Sequence, residues 1–130
     1  MKAPSVFLIA ILSAVPSFSQ DAECDPAGGC QKILETNPAS SLAHYRIAEL
    51  LFQQHNYQSA ALEFFQALQG DKEPKWTEVW SHVNLGKIFD LSRQRDRAVR
   101  EYRLAEQTRD NTRGALDEVA KYLESPYSAP

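Results

Sequence analysis

Two cysteines are the residues of this sequence best suited to chemistry, because a pair of thiols can form a disulfide or exchange electrons. Cys24 and Cys30 are separated by Asp-Pro-Ala-Gly-Gly. Pro26 and the two glycines break a continuous helix, so the chain can turn back and bring the two sulfurs together. A redox enzyme would favour Cys-x-x-Cys at a helix start, and the spacing here differs. We expect a Cys24–Cys30 disulfide, with free thiols or a thiol-redox role as the alternatives.

Other residue patterns that catalyse reactions or hold metals are missing from the sequence. It contains no Gly-rich phosphate loop, no nucleophile elbow and no two histidines on one helix face. We expect His44, His55 and His82 to pack or to face solvent rather than to bind a metal. The sequence therefore predicts no catalytic residues, no cofactor and no metal site.

Six arginines between residues 93 and 109 form a basic cluster, but acidic side chains are interleaved with them at Asp96, Glu101 and Glu106. Such mixed runs are usually solvated helix faces. The formal net charge of −3 gives no overall attraction to nucleic acid or to anionic lipid. We therefore expect no nucleic-acid partner.

The N-terminus has the layout of a secretory signal. Lys2 is followed by a mostly apolar run and then by small residues at Ser17 and Ser19. We expect residues 1–19 to be a signal peptide, cut between Ser19 and Gln20, and the mature protein to be exported to a periplasmic or extracellular location. No run of eighteen apolar residues exists, and no lipoprotein cleavage box precedes the first cysteine, so no stable membrane anchor is expected after signal removal.

The rest of the chain has the periodicity of paired amphipathic helices. Apolar residues from residue 40 onward follow a 3.6-residue period, and polar turns interrupt it at residues 53–56 and 92–94. Sliding the first pair of helices by 38 residues superposes it on the second. The matched residues are His44 with His82, Ile47 with Leu85, Ala48 with Gly86, Leu51 with Phe89, Ala60 with Ala98, Glu63 with Glu101, Phe64 with Tyr102 and Ala67 with Ala105. We predict an all-α protein built from repeated helical hairpins.

These matched positions resemble the tetratricopeptide repeat family, whose unit of 34 residues has large, small and aromatic residues in a similar order. The resemblance implies antiparallel helix-turn-helix repeats at about 41–70 and 75–108, stacked as a short right-handed solenoid. Two features depart from the family pattern: His44 and His82 replace the usual Trp, and four extra residues near 70–73 lengthen the linker. The second departure leaves the angle between the hairpins open.

The flanking segments continue the same register. Stepping 34 residues beyond the second hairpin reaches first-helix positions at Leu116, Val119, Ala120 and Leu123. We therefore expect a capping helix at about 113–124, which closes a domain spanning residues 40–124, and a C-terminal tail at 125–130. Upstream, residues 20–39 are predicted as a cysteine-containing segment with a partial helix. In that segment Cys30 falls at the position that Phe64 and Tyr102 occupy in the full repeats.

The resemblance also implies that the first helix of each repeat lines a concave groove for a protein or peptide. That role falls on Leu42, Tyr45, Glu49, Phe52, Gln53, Trp80, Val83, Lys87, Asp90 and Leu91. The helical spacing also places the residues of each helix, from Tyr45 to Gln53 and from Trp80 to Leu91, on a common face. Aromatic anchors beside charges suit a peptide groove. We predict a non-catalytic interaction adaptor. The alternatives are a passive spacer, a homodimer formed through the groove, and a thiol-redox or enzyme-associated envelope protein that uses Cys24 and Cys30.

Overall fold

The computed structural model describes Lys2 and residues 24–130, and all regular structure in this part of the chain is helical. The helices are α1 (Gly29–Thr36), α2 (Ser41–Gln53), α3 (Tyr57–Gln69), α4 (Trp76–Leu91), α5 (Arg95–Thr108) and α6 (Ala115–Glu124), with a single 3₁₀ turn at Thr112–Gly114. The all-α prediction is confirmed, whereas stacking as a right-handed solenoid stays a prediction. Apart from Lys2, the predicted signal peptide and its cleavage site lie outside the described residues.

The first hairpin pairs α2 with α3 in antiparallel orientation. Ser40 caps α2, because its hydroxyl accepts a hydrogen bond from the Ala43 N–H at 3.2 Å. Ser41 Oγ, at the start of α2, donates to the carbonyl of Ala67, near the end of α3, at 2.6 Å. Contacts between the start of one helix and the end of the next require the two helices to run in opposite directions.

The second hairpin, α4 with α5, repeats the His–Glu contact and the turn of the first. His44 Nδ1 lies 2.7 Å from Glu63, and His82 Nδ1 lies 2.7 Å from Glu101. Both turns pass through a residue with positive φ, 60° in the first and 59° in the second, and both close with an N–H···O bond of 3.0 Å. The hairpins are therefore equivalent at the 38-residue offset that the sequence shows.

Small residues at equivalent positions allow the helices of each hairpin to approach closely. The residues Ala48, Gly86, Ala60, Ala98, Ala67 and Ala105 are all buried, as are Phe64 and Tyr102 between them. A Cβ placed on Gly86 would lie 2.2 Å from the Tyr102 ring. The distance between α4 and α5 is thus set by the absence of a side chain at Gly86.

The N-terminal flank is held by the predicted disulfide. Cys24 and Cys30 are bonded, with an S–S distance of 2.10 Å. Both residues are buried, and they pack with Ala43 of α2 and with the partly buried Leu34. Cys30 is fully buried, as Phe64 is at the matching position of the first hairpin. The contact between α1 and α2 is therefore made by the disulfide and the small side chain of Ala43 instead of an aromatic ring.

The C-terminal flank contains the expected capping helix, and three of its four predicted packing residues, Leu116, Val119 and Leu123, lie against the core. Val119 of α6 is fully buried, and Tyr122 lies against Tyr102 with ring centroids 5.9 Å apart. Ala120, which the 34-residue step placed at the close helix contact, is exposed. At this one residue the prediction does not hold, because α6 packs on α4 and α5 through Ala115, Val119 and Tyr122, with Leu116 and Leu123 partly buried beside them.

The long linker between the hairpins folds back onto the start of α2. Asp71 accepts a hydrogen bond from the Ser41 N–H at 3.1 Å, and its own N–H donates to the Ala39 carbonyl at 2.8 Å. Ser41 Oγ accepts from the Lys72 N–H at 2.8 Å. The extra residues of the linker therefore have defined hydrogen-bond partners, and they connect the end of α3 to the start of α2.

We predict that Gly86→Ala destabilises the fold by about 1–3 kcal/mol, because the new methyl group overpacks against Tyr102. Urea unfolding followed by circular dichroism measures the change. The matched control is Gly28→Ala, where a Cβ meets no atom within 4 Å and φ is extended at −168°. Equal stability of the two variants would show that α4 and α5 are not in close contact at Gly86.

Candidate functional site

A cavity of about 210 Å³ lies between α2 and α4, with α3 beneath it. Its lining residues are Tyr45, Glu49, Phe52, Gln53, Phe64, Trp80, Asn84 and Lys87. We call this surface the α2–α4 groove. It brings together Tyr45, Glu49, Phe52, Trp80 and Lys87 of the predicted partner-binding residues, and Gln53 with them. Phe64 and Asn84 are additions that helical spacing alone did not supply.

Tyr45 forms the floor of the α2–α4 groove rather than a mobile anchor. Its ring packs edge-on against Phe64 at 5.5 Å and Trp76 at 5.1 Å between centroids, and its hydroxyl accepts a hydrogen bond from Asn84 Nδ2 at 3.3 Å. Burial, reinforced by the Glu49 carboxylate, raises the pKa of the Tyr45 phenol well above its ordinary range. The floor is therefore a neutral, rigid aromatic surface with one polar atom already bonded.

The two charged side chains of the groove each have a partner within the chain. Glu49 pairs with Arg46 at 2.7 Å on the same helix, and Lys87 pairs with Glu118 of α6 at 3.0 Å. The Lys87 ammonium also lies 5.9 Å from the centre of the Trp80 ring. With 14% of its side chain exposed, Lys87 is held in place, whereas about a third of the Glu49 side chain faces solvent.

Of the other four predicted groove residues, Leu91 is partly exposed and does not line the groove, and the remaining three lie in the interior. Leu42 and Val83 belong to the hydrophobic core, and the Asp90 side chain is only 1% exposed. The reason is that α4 packs against α3, α5 and α6 as well as α2, so apolar residues surround it on most sides. On α4, spacing along one helical face was therefore not enough to distinguish residues that line the groove from residues that lie in the core.

Asp90 is the acceptor that joins the C-terminal elements. Arg95 Nη1 donates to both carboxylate oxygens at 3.0 Å, and the Tyr102 hydroxyl donates to Oδ2 at 2.8 Å. Arg95 Nη2 in turn donates to the last carbonyls of α6, those of Tyr122 at 2.7 Å and Leu123 at 3.0 Å. A single buried carboxylate thus connects α4, α5 and α6.

The C-terminal residues, predicted as a tail, return to the edge of the α2–α4 groove. The Tyr127 N–H donates to Asp90 Oδ2 at 2.9 Å. The Tyr127 ring lies 5.3 Å from that of Tyr122 and 6.4 Å from that of Phe52, and 5.3 Å from the Lys87 ammonium. Sequence reasoning missed this contact, although an aromatic residue directly after Pro126 was a visible signal.

The histidines and arginines are engaged mostly within the chain. Besides the two His–Glu pairs, His55 stacks on Tyr57 with ring centroids 5.7 Å apart. Of the arginine cluster, Arg97 lies 4.0 Å from the centre of the Phe89 ring and Arg103 pairs with Glu106 at 3.0 Å.

Among the described residues, no three His, Cys, Asp or Glu side chains come together as a metal site. Nor does any helix in that part of the chain have the length and apolar character to cross a membrane.

Comparison with known proteins gave no match: no family model fits the chain, and neither the curated proteins nor the solved structures contain a similar one. The likeness to tetratricopeptide repeats therefore depends on the sequence positions given above.

We predict that Asp90→Asn lowers the free energy of unfolding by about 1–3 kcal/mol, because the buried amide has one accepting oxygen where the carboxylate has two, which leaves donors of Arg95, Tyr102 or Tyr127 unpaired. Chemical denaturation measures the loss. Glu106→Gln is the control, since its pair with Arg103 is exposed and contributes about 0–1 kcal/mol. Similar losses in both variants would contradict the role given to Asp90.

A second prediction concerns alkaline pH. Burial raises the pKa of Tyr45, Tyr102, Tyr122 and Tyr127 above the ordinary value of 10.0. Because the unfolded chain releases these protons first, the contribution of these phenols to stability should be constant below about pH 10 and should be lost as the pH rises further. Tyrosinate absorbance of the native protein should lag behind that of the denatured protein. Coincident titration curves would contradict the burial of these phenols.

Proposed function

We propose that this chain is a non-catalytic adaptor that holds a segment of a partner protein in the α2–α4 groove. The observation that carries the proposal is the groove itself: partly exposed Phe52 and Trp80 stand beside Glu49 above a rigid aromatic floor. Desolvated aromatic rings supply much of the affinity at protein interfaces, and neighbouring charges select the register.

The size of the cavity favours a peptide over a small molecule. Pockets for drug-sized ligands have about 300–1,000 Å³ and enclose most of the ligand, whereas this cavity has about 210 Å³ and is open to solvent. Such a depression suits one or two side chains of an otherwise exposed segment. The partner would therefore present an apolar or aromatic side chain to the floor and place its backbone along the rim.

The groove is organised before a partner arrives. The Trp80 indole N–H donates to the Thr112 carbonyl at 3.0 Å, so its ring is oriented by a contact outside its own helix. Phe52 packs edge-on against Tyr57 at 5.3 Å between centroids. Because side chains already fixed in one conformation lose little entropy on binding, the proposed partner would bind without ordering the surface first.

The resemblance to tetratricopeptide repeats and the predicted signal peptide support the same proposal. Repeated hairpins of this kind present their first helices to partners, and export fits a chain whose two cysteines form a disulfide. We therefore infer an exported adaptor of the tetratricopeptide type with a periplasmic or extracellular partner.

The thiol-redox alternative has less support. Thiol exchange needs an accessible thiolate, but Cys30 is fully buried and Cys24 nearly so, beneath the side chains of Leu34 and Ile47. The arrangement suits a covalent tie between the N-terminal segment and α2 better than a reaction centre.

We predict that Phe52→Ala weakens binding of groove ligands at least about tenfold, because the variant removes a partly exposed ring from the rim. The ligands are peptides selected from a displayed random library with the disulfide-intact protein as bait, and their affinities are measured by calorimetry.

The matched control is Leu62→Ala, which shortens a side chain that is 63% exposed on α3 and does not line the groove. It should bind the selected peptides as the unaltered protein does. If Phe52→Ala leaves every affinity unchanged, or if Leu62→Ala weakens binding equally, the α2–α4 groove is not the binding surface.

A further inference from the structure

We propose that residues 125–130 are a built-in competitor for the α2–α4 groove, displaced by an extended partner segment that puts an aromatic ring in the place of Tyr127. This inference rests on the proposed function and adds to it a regulatory contact and a partner chemistry. Its basis is that Tyr127 contacts Phe52 and Lys87, two of the residues that line the groove.

The path of the segment is fixed at its start. Arg95 binds the carbonyls of Tyr122 and Leu123, which are among the last of α6 and would otherwise have no helical partner. Ser125 then leaves the helix in an extended conformation, with φ −145° and ψ 132°. Pro126 cannot continue the helix and has no N–H to donate. The first free donor after the turn is therefore the Tyr127 N–H, and it meets Asp90 at 2.9 Å.

The ring of Tyr127 completes an aromatic enclosure around Lys87. The Lys87 ammonium lies 5.9 Å from the centre of the Trp80 ring, 5.5 Å from that of Tyr122 and 5.3 Å from that of Tyr127. Cation–π contacts of this kind are favourable, and they are stronger when the ammonium is shielded from water. Trp80 and Tyr122 belong to the helical framework, so Tyr127 is the one wall that a separate segment could replace.

The contact is weak enough to be exchanged. The ring of Tyr127 is partly exposed, and Ser128, Ala129 and Pro130 beyond it are exposed. A short tether gives such a segment an effective concentration of about millimolar. It therefore occupies its site without a high intrinsic affinity, and it raises the apparent dissociation constant of any ligand that must replace it.

The chemistry of the competing segment follows from what it replaces. Its ring would pack edge-on against Tyr122 and at a tilt against Phe52 and would cover the Lys87 ammonium, and its backbone N–H would face Asp90. A residue without an N–H is suited to the position before the ring, where Pro126 now stands. The geometry thus favours an extended segment with an aromatic side chain that follows proline.

The test uses the chain's own C-terminus as the probe. An acetylated peptide of residues 124–130, Glu-Ser-Pro-Tyr-Ser-Ala-Pro, is titrated by calorimetry into the full chain and into a chain that ends at Ser125. We expect the shortened chain to bind the peptide with a dissociation constant of about 0.1 mM or lower, because a tethered competitor at about millimolar effective concentration then weakens binding to the full chain at least about tenfold. The same peptide with alanine in place of tyrosine should not bind.

Point variants provide the matched controls. Tyr127→Ala in the full chain should raise peptide affinity as truncation does, whereas Ser128→Ala, at an exposed neighbouring residue, should leave it at the low level of the unaltered chain. Circular dichroism establishes that each variant is folded. Because Tyr127→Ala keeps the full length, it provides the test even if the shortened chain does not fold.

Two results would overturn the inference. One is equal peptide affinity for the full chain, the shortened chain and Tyr127→Ala; the other is no binding to either altered chain at several millimolar peptide. Neither result removes the proposed function, because the library-selected peptides could still bind the full chain in a manner that depends on Phe52. Conversely, loss of that dependence with intact exchange of the C-terminal peptide would refute the adaptor role alone.

Discussion

The buried carboxylate of Asp90 is the constraint on which the C-terminal half of this molecule depends. A charge removed from water is costly unless donors surround it, and the Asp90 side chain is only 1% exposed. Its donors come from three places: Arg95 at the start of α5, the Tyr102 hydroxyl in the middle of α5, and the Tyr127 N–H beyond α6. Satisfying this one group therefore fixes the second hairpin, the capping helix and the C-terminal segment relative to one another.

The two hairpins share a framework and differ where function is proposed. At the 38-residue offset the position of Asp90 is occupied by Phe52 in the first hairpin. The first hairpin is followed by another hairpin and not by a capping helix, and the Phe52 ring at this position is partly exposed and borders the groove. Equivalent turns and His–Glu pairs hold both hairpins in the same shape. Repetition thus supplies the scaffold for both hairpins, which line the groove together, and the difference at this one position adds a ring to the rim in the first hairpin and attaches the capping helix to the second.

What the sequence could predict depended on local spacing. The helices and the small residues that face large ones, such as Gly86 facing Tyr102, follow from periodicity within a few turns. The linker contacts with Ser41 and the return of Tyr127 to Asp90 join residues that are 30 to 37 positions apart. No periodicity encodes such pairs. Val83 was predicted to line the groove but lies in the core. A helix that is enclosed by neighbours has no single polar face, so the sequence pattern does not show which of its residues face the groove.

Asp90 also explains how the C-terminal segment could leave without loss of the fold. When Tyr127 departs, the carboxylate keeps two hydrogen bonds from Arg95 and one from Tyr102. The charge stays paired, and water or the backbone of a partner can occupy the vacated acceptor site. Displacement therefore costs roughly one hydrogen bond, about 0.5–3 kcal/mol, plus the ring contacts of Tyr127. An incoming aromatic segment would restore both, so the exchange can be close to balanced and its direction set by the concentration of the partner.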